Sequence, residues 1–289
     1  MTIGKAIALA YTIFTAKHID SAELDTEALL AFVLQKDRAY ILARPEIELT
    51  KDEERRYHTI IHKRADYVPF AYLVGKKEFY GREFIVNKYT LIPRPDTEIL
   101  VDAVLTYLKT NPQKKFSLID VGTGSGCIII SLACEAQNLG KLWGIDRVKR
   151  ALDVARQNAA LYHLEDRFTF KRYNMLSLIK ERFDIIVANL PYISSKELTH
   201  ARKVNPELEW EPQIALLGGT DGLLFNTALL QQARKRLHPG GAVFFEIGDQ
   251  QAEYMSTLAE KFLSPCKVEI KKDLCARDRV VCVFTSSVV

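Results

Sequence analysis

The sequence predicts an α/β protein, a doubly wound sheet preceded by a small all-α domain and joined to it by a β-hairpin. Three observations carry that prediction. Up to about residue 75 the apolar side chains recur at three- and four-residue intervals and strand signals are absent. Farther on, short apolar runs alternate with helical stretches, as in sheets wrapped by helices. Two of those runs stop abruptly, one in a glycine loop and one in Asn189-Leu190-Pro191-Tyr192, and ligands of open α/β sheets lie outside the carboxyl ends of strands.

A chain of 289 residues, 48% hydrophobic and 26% charged, is long enough for a good core and fits two domains. No apolar run reaches bilayer-spanning length and no signal-peptide cleavage pattern follows Met1, so a cytoplasmic protein without membrane contact is expected. A monomer is the expected state. The net charge of +4 is compatible with a nucleic-acid partner but far too small to imply one. Five cysteines, an odd number with no CxxC spacing, suggest neither a disulfide framework nor a zinc site; they read as small apolar fillers.

Residues 1–75 form the predicted helical domain, with apolar stripes through Ile3, Ile7, Ala8 and Tyr11 and through Leu24, Ala28, Leu29, Phe32 and Val33. Thr50-Lys51-Asp52-Glu53 has capping-box spacing, and Gly75 stops the last helix. His58 and His62 share a helix face but have no third ligand in view, so a solvated face is the better reading. With no catalytic set, this domain is expected to recognise a partner. Residues 76–92 are the hairpin linker, where the period changes to two around Gly81. The catalytic domain is then 93–289. Pro93 and Pro95 stiffen its start, Asp96 or Thr97 is a candidate helix cap, and Arg94 is either a substrate-facing charge or part of a stiff turn.

The run Phe116–Val121 leads into Gly122-Thr123-Gly124-Ser125-Gly126 and then a helix. Three glycines in five positions let a ligand lie against main-chain amides at a helix start, and GxGxG in place of GxGxxG favours something smaller than a dinucleotide. Asp146 closes the next strand, 20 residues beyond Gly126, at the distance of a ribose-binding carboxylate. A helix N-cap role before Val148 is compatible with that one. After the third strand, Asn174 offers an amide to an adenine edge and Met175 a thioether to its face.

Phe183–Ala188 ends in the second candidate centre. The Asn189 carboxamide oxygen and the Leu190 carbonyl are two acceptors for one planar NH2 group, and Tyr192 is a flat wall beside it. Pro191 keeps Leu190 extended. If only the Leu190 carbonyl matters, its side chain is secondary and proline there should be nearly neutral. A tight turn without chemistry is the bland alternative.

Together the glycine loop, Asp146 and Asn189-Leu190-Pro191-Tyr192 resemble class I S-adenosylmethionine-dependent methyltransferases that act on amino groups, whose signature is (Asn/Asp)-Pro-Pro-(Tyr/Phe). More narrowly, the chain resembles the HemK/PrmC family, N5-glutamine methyltransferases of peptide-chain release factors. Asp25–Ala43, Pro69–Leu73, Glu78–Tyr80, the IPRPDTE segment within Leu91–Val101, Glu211-Pro212, Gly218-Gly219, Asp221–Leu223 and Glu246–Gly248 carry that resemblance. Leu190 stands where the family usually has proline, and Gln213 where arginine is common. The resemblance implies a Rossmann-like class I methyltransferase sheet and S-adenosyl-L-methionine as cofactor. It implies cofactor binding by Gly122, Thr123, Gly124, Ser125, Gly126, Asp146, Asn174, Met175 and Asn189, and catalysis and substrate binding by Asn189, Leu190, Pro191 and Tyr192. No metal is implied, and the partner is the Gly-Gly-Gln loop of a release factor. An exocyclic-amine methyltransferase of adenine or guanine is the runner-up, with no clustered basic surface to favour it. A nicotinamide oxidoreductase is disfavoured by GxGxG, and a degenerate binding module by the presence of Asp146 and Asn189.

Overall fold

The computed structural model describes residues 1–286. They divide into two compact units, Met1–Lys76 with Asn205–Trp210, and Lys77–Val204 with the chain from Glu211 onward.

In the first unit α1 (Ile3–Ala16), α2 (Ala22–Leu34), α3 (Arg38–Ala43), α4 (Lys51–Ala65) and α5 (Phe70–Val74) supply a core that includes Phe14, Leu29, Leu30, Ile41, Tyr57 and Ile61. The capping box at α4 is formed: Thr50 Oγ1 accepts from Glu53 N at 3.3 Å, and Glu53 Oε2 accepts from Thr50 N at 2.8 Å. Gly75 ends α5 with a φ of 77°. The buried faces differ from the predicted stripes. Helix α1 buries Ile3, Ala6, Ala10 and Phe14 and exposes Tyr11; α2 exposes Leu24 and Phe32 while burying Asp25, Thr26 and Glu27 beside Leu29 and Leu30. Those polar residues can lie inward because they find partners there. Asp25 Oδ2 accepts from the buried Arg64 Nε at 2.6 Å, Glu27 pairs with Arg38, and the Thr26 hydroxyl donates to the Ala22 carbonyl. Arg64 Nη2 also donates to Glu207 Oε1 at 2.6 Å, and Trp210 Nε1 to the Asp66 carbonyl at 3.0 Å, which gives residues 205–210 their place in this unit. Losing one partner of such a buried ion pair costs about 3–5 kcal/mol, because the remaining charge is left desolvated. His58 and His62 stack on α4, and no metal-ligating cluster occurs among the described residues.

The hairpin β1 (Lys76–Phe79) and β2 (Arg82–Ile85) turns through Tyr80 and Gly81 at φ 52° and 68°, the paired positive φ of a tight hairpin turn. Its Phe79 and Phe84 enter the core of the second unit. A 3₁₀ turn at Pro95–Thr97 leads directly into α6 (Glu98–Lys109). Then follow β3 (Phe116–Val121), α7 (Cys127–Glu135), β4 (Leu139–Asp146), α8 (Lys149–Leu161), β5 (Phe168–Arg172), β6 (Phe183–Ala188), α9 (Ser195–Val204), α10 (Leu224–Ala233), β7 (Leu237–Glu246), α11 (Ala252–Leu263), β8 (Cys266–Lys272) and β9 (Asp278–Thr285). The sheet runs β5-β4-β3-β6-β7-β9-β8, parallel from β5 to β7 and antiparallel at both β9 pairings.

Alternate strand residues feed two cores, one per face. Leu118, Ile185, Val187, Phe244 and Cys282 join the apolar sides of α6 and α7 on one face, whereas Ile119, Val121, Ile186, Phe245 and Val283 join α10 and α11 on the other. Burial on both faces explains the nearly unbroken apolar runs of β6 and β9. The cysteines are less uniform than predicted: Cys127 and Cys282 are buried fillers, Cys266 is half-buried, and Cys134 and Cys275 are exposed. No helix is long and apolar enough to cross a membrane among the described residues.

Candidate active site

Strand register brings the sequence candidates together. Val121 of β3 pairs with Ala188 of β6 on one side and Ile145 of β4 on the other, so Gly122, Asn189 and Asp146 are the next residues in one row. Strand order reverses at β3, and such switch points are where open α/β sheets hold ligands. A cleft of ≈ 940 Å³, its open mouth included, occupies this place in the second unit. Gly122, Thr123, Gly124, Ser125, Asp146, Asn174, Met175, Asn189, Leu190 and Pro191 line it; Gly126 and Tyr192 stand behind the lining.

The loop after β3 is folded by its own backbone. Gly122 N and Thr123 N both donate to the Ile145 carbonyl at 2.9 Å, and Gly126 N donates to the Thr123 carbonyl at 2.8 Å. At Gly126 the φ is 80° and a Cβ would lie 2.9 Å from Ile130 Cδ1, so a side chain would be both strained and crowded. Asp146 Oδ2 accepts from Gly124 N at 3.1 Å and Oδ1 from Val148 N at 2.8 Å. It therefore ties the glycine loop to the turn ahead of α8, whose N-cap is Val148 and not Asp146. Burial raises the Asp146 pKa, and the amides of Val148 and Gly124 oppose the rise. Asp120 is fully buried. Its Oδ2 accepts from the Thr123 hydroxyl at 2.7 Å and its Oδ1 has no partner. Burial pushes its pKa up to about 7, with Thr123 opposing and the Asp146 charge adding.

The corner after β6 is held by side chains from distant segments. Asn189 Nδ2 donates to Thr97 Oγ1 at 3.0 Å, and Asn189 Oδ1 has no hydrogen-bond partner among the described residues. Thr97 holds the N-cap position of α6, but its hydroxyl makes no capping bond, because the 3₁₀ turn supplies α6 with its entry and frees that oxygen for Asn189. Asp96 does not cap α6 either, being inside the 3₁₀ turn. The Tyr192 hydroxyl donates to Glu246 Oε1 at 2.9 Å, and Gln251 Nε2 donates to the Tyr192 carbonyl at 3.0 Å. Glu246, at the end of β7, is buried; burial raises its pKa, while the Thr97 and Tyr192 hydroxyls and Arg279 stabilise its charge. Burial and the neighbouring Glu246 raise the Tyr192 pKa in turn. Behind the corner, a Cβ on Gly218 would lie 2.6 Å from the Pro191 carbonyl oxygen, and one on Gly222 would lie 2.2 Å from that of Tyr192. The chain there approaches backbone to backbone.

The Leu190 side chain is buried in the core and reaches within 3.0 Å of where a Cβ on Gly122 would stand, so it joins the two halves of the site. Arg94 lines the cleft and pairs with the buried Glu211, whose Oε2 accepts from Ile92 N at 3.1 Å. Sequence reasoning gave no individual role to Glu246, Glu211 or Gln251. Glu246 did leave a signal, a lone carboxylate closing an apolar run.

Comparisons with known proteins agree with this geometry. Residues 112–277 match the family described as "Methyltransferase domain", and residues 5–75 the family described as "PrmC N-terminal domain". The fold is similar to that of a methyltransferase from Pyrococcus furiosus, with a TM-score of 0.50 and 17% identity over 82% of this chain and 100% of that one. The second unit is thus a class I methyltransferase. The release factor glutamine methyltransferase of Clostridium acetobutylicum is 37% identical over 97% of this chain and 98% of its own length. The chain belongs to the release factor glutamine methyltransferase family. It also spans about half the length (51%) of the bifunctional methyltransferase of Rickettsia bellii, to which it is 36% identical over 91% of this chain.

Proposed function

We propose that the protein transfers the methyl group of S-adenosyl-L-methionine to the side-chain amide nitrogen of the glutamine in the Gly-Gly-Gln loop of a peptide-chain release factor. The helical unit, on this reading, recognises the release factor, and the protein acts as a monomer. The observation that carries the reading is the register that places the glycine loop, Asp146 and Asn189 in one row past the sheet. The residues present fit the cofactor. Each Asp146 oxygen has a backbone donor and keeps a lone pair for a ribose hydroxyl. Asn174 and Met175, which line the cleft, offer the amide and thioether suited to an adenine.

The bound cofactor supplies an electrophilic methyl on a positive sulfonium. The chain's own work is on the acceptor. An amide nitrogen is a poor nucleophile because its lone pair is delocalised into the carbonyl, so it must be held close and aimed. Asn189 Oδ1 and the Leu190 carbonyl accept its two N–H bonds, and the pinned Tyr192 ring bounds the space beside it. Holding reacting groups in a near-attack arrangement contributes about 7–11 kcal/mol, enough that no strong general base is needed. The amide proton leaves to solvent after transfer.

Incubation with methyl-labelled S-adenosylmethionine and a release factor, followed by mapping of the labelled residue, tests this. Label on the glutamine of the Gly-Gly-Gln loop is expected. Transfer only to nucleic acid would overturn it.

A further inference from the structure

We propose that Thr97 is a positioning residue, holding the Asn189 carboxamide in the one of its two flips that leaves Oδ1 available to the substrate amide. The inference rests on the function proposed above and goes one residue deeper into it. A carboxamide has nearly the same shape in both flips, and only its hydrogen-bond partners distinguish nitrogen from oxygen. In one flip Asn189 can accept an N–H from substrate; in the other it would present its own NH2 group to a second NH2 group, donor against donor.

What selects the flip is the direction of the Thr97 hydroxyl. That group has one proton, and its oxygen lies 3.0 Å from Asn189 Nδ2. On its other side the hydroxyl favours the charge of Glu246, whose Oε1 already takes the Tyr192 hydroxyl and whose buried Oε2 is an acceptor with no hydrogen-bond partner. A carboxylate only accepts, so the Thr97 proton turns to Glu246 and the Thr97 oxygen can only accept from Asn189. Polarity therefore runs one way: Asn189 donates to Thr97, and Thr97 donates toward Glu246. The 3₁₀ turn at Pro95–Thr97 holds Thr97 in place, its own N–H bonded to the Arg94 carbonyl at 3.1 Å. Tyr192 ends on the same carboxylate, so the two residues flanking Leu190-Pro191 are oriented by one buried group.

The test is single-turnover and steady-state methylation of a release factor by full-length Thr97→Val, Thr97→Ser, Asn189→Ala and the Asn189→Ala/Thr97→Val double variant. Thr97→Val keeps the shape of the side chain and removes the hydroxyl. Its kcat should fall by about tenfold or more, with KM for the release factor and the Kd for S-adenosylmethionine little changed. Serine should restore most of the rate. In the Asn189→Ala background, Thr97→Val should slow the reaction no further, since Thr97 acts through Asn189. If Thr97→Val fails to fold by circular dichroism, Thr97→Ala takes its place in every comparison. A wild-type rate for Thr97→Val, a serine variant as slow as valine, or an undiminished valine effect without Asn189 would each overturn the proposal. Should Asn189→Ala itself turn over at the wild-type rate, the reading of the site and the positioning of Asn189 fall together. A severe Asn189→Ala with a wild-type Thr97→Val sinks the positioning alone.

Discussion

The glycine loop and the Asn189 corner lie side by side past the same row of strand ends, yet they are held by opposite means. The loop closes on its own main chain: within Gly122–Gly126 the bonds run to Ile145, to Thr123 and to the carboxylate of the neighbouring Asp146. The corner depends on side chains from far away in sequence, Thr97 ahead of it and Glu246 and Gln251 behind. A locally closed loop is suited to a ligand that is the same in every reaction cycle. A corner braced from three segments fixes the direction of individual donors and acceptors, which is what aiming one nitrogen requires. On the function proposed above, the first region sets cofactor affinity and the second sets turnover.

The largest effect should come from the corner. Asn189→Ala should lower single-turnover methylation by about 100- to 1000-fold, or ~2.7–4 kcal/mol in barrier, as when one positioned polar group is removed from a reaction centre. Circular dichroism should show the fold intact. A near-wild-type rate would reduce Asn189 to a turn former and erase the distinction between the two regions.

Leu190→Pro probes the seam where they touch. Proline keeps the carbonyl but gives up a buried leucine packed against Gly122, so denaturant unfolding should show a loss of about 1.5–3 kcal/mol while the folded variant still methylates. Undiminished stability would mean the seam is not a packing contact. If the folded variant is as inactive as Asn189→Ala, the Leu190 carbonyl is not the second acceptor.

On the loop side, Asp146→Ala should weaken S-adenosylmethionine binding by about tenfold or more, given ~1.5–3 kcal/mol for a hydrogen bond to a charged group. At saturating cofactor its turnover should be far less affected than that of Asn189→Ala. Calorimetry showing unchanged affinity in a folded variant would remove Asp146 from the cofactor's partners.

The last effect is one of pH and concerns Asp120 beneath the loop. Its carboxyl stays protonated in the folded protein up to a pH of about 7, against an ordinary value of 3.8. Between those values the folded state binds more protons than the unfolded one, so stability falls as pH rises, by at most about 1.4 kcal/mol per pH unit from this group. Asp120→Asn should flatten that decline, gaining on the wild type between pH 5 and pH 7 in denaturant titrations. Equal slopes for the two proteins would show that Asp120 is ionised throughout.

The same contrast explains what could be read from the chain alone. Gly122–Gly126 and Asp146 are legible because their structure is local: positive φ demands glycine, and strand order fixes where the next carboxylate falls. Asn189–Tyr192 is legible as a corner at a strand end, but its bracing is not. Nothing near Thr97 says that a 3₁₀ turn will relieve it of capping and send its hydroxyl to a residue 92 positions away. The inward turn of Asp25 and Glu27 in α2 was hidden for the same reason, since apolar periodicity cannot register a charge that meets its partner only after the helices pack.

The buried Arg64 bears on how this protein can be taken apart. Its two carboxylates, Asp25 and Glu207, come from opposite ends of a stretch that contains most of the catalytic unit, and Trp210 reaches Asp66 from the same late segment. The helical unit is therefore not a cassette. A fragment cut after residue 76 would carry a guanidinium with half its counter-charge missing, and a chimera that swapped only the first 76 residues between relatives would pair one parent's arginine with the other's glutamate. Domain exchange in this architecture requires the six residues from Asn205 to Trp210 to travel with the N-terminal segment.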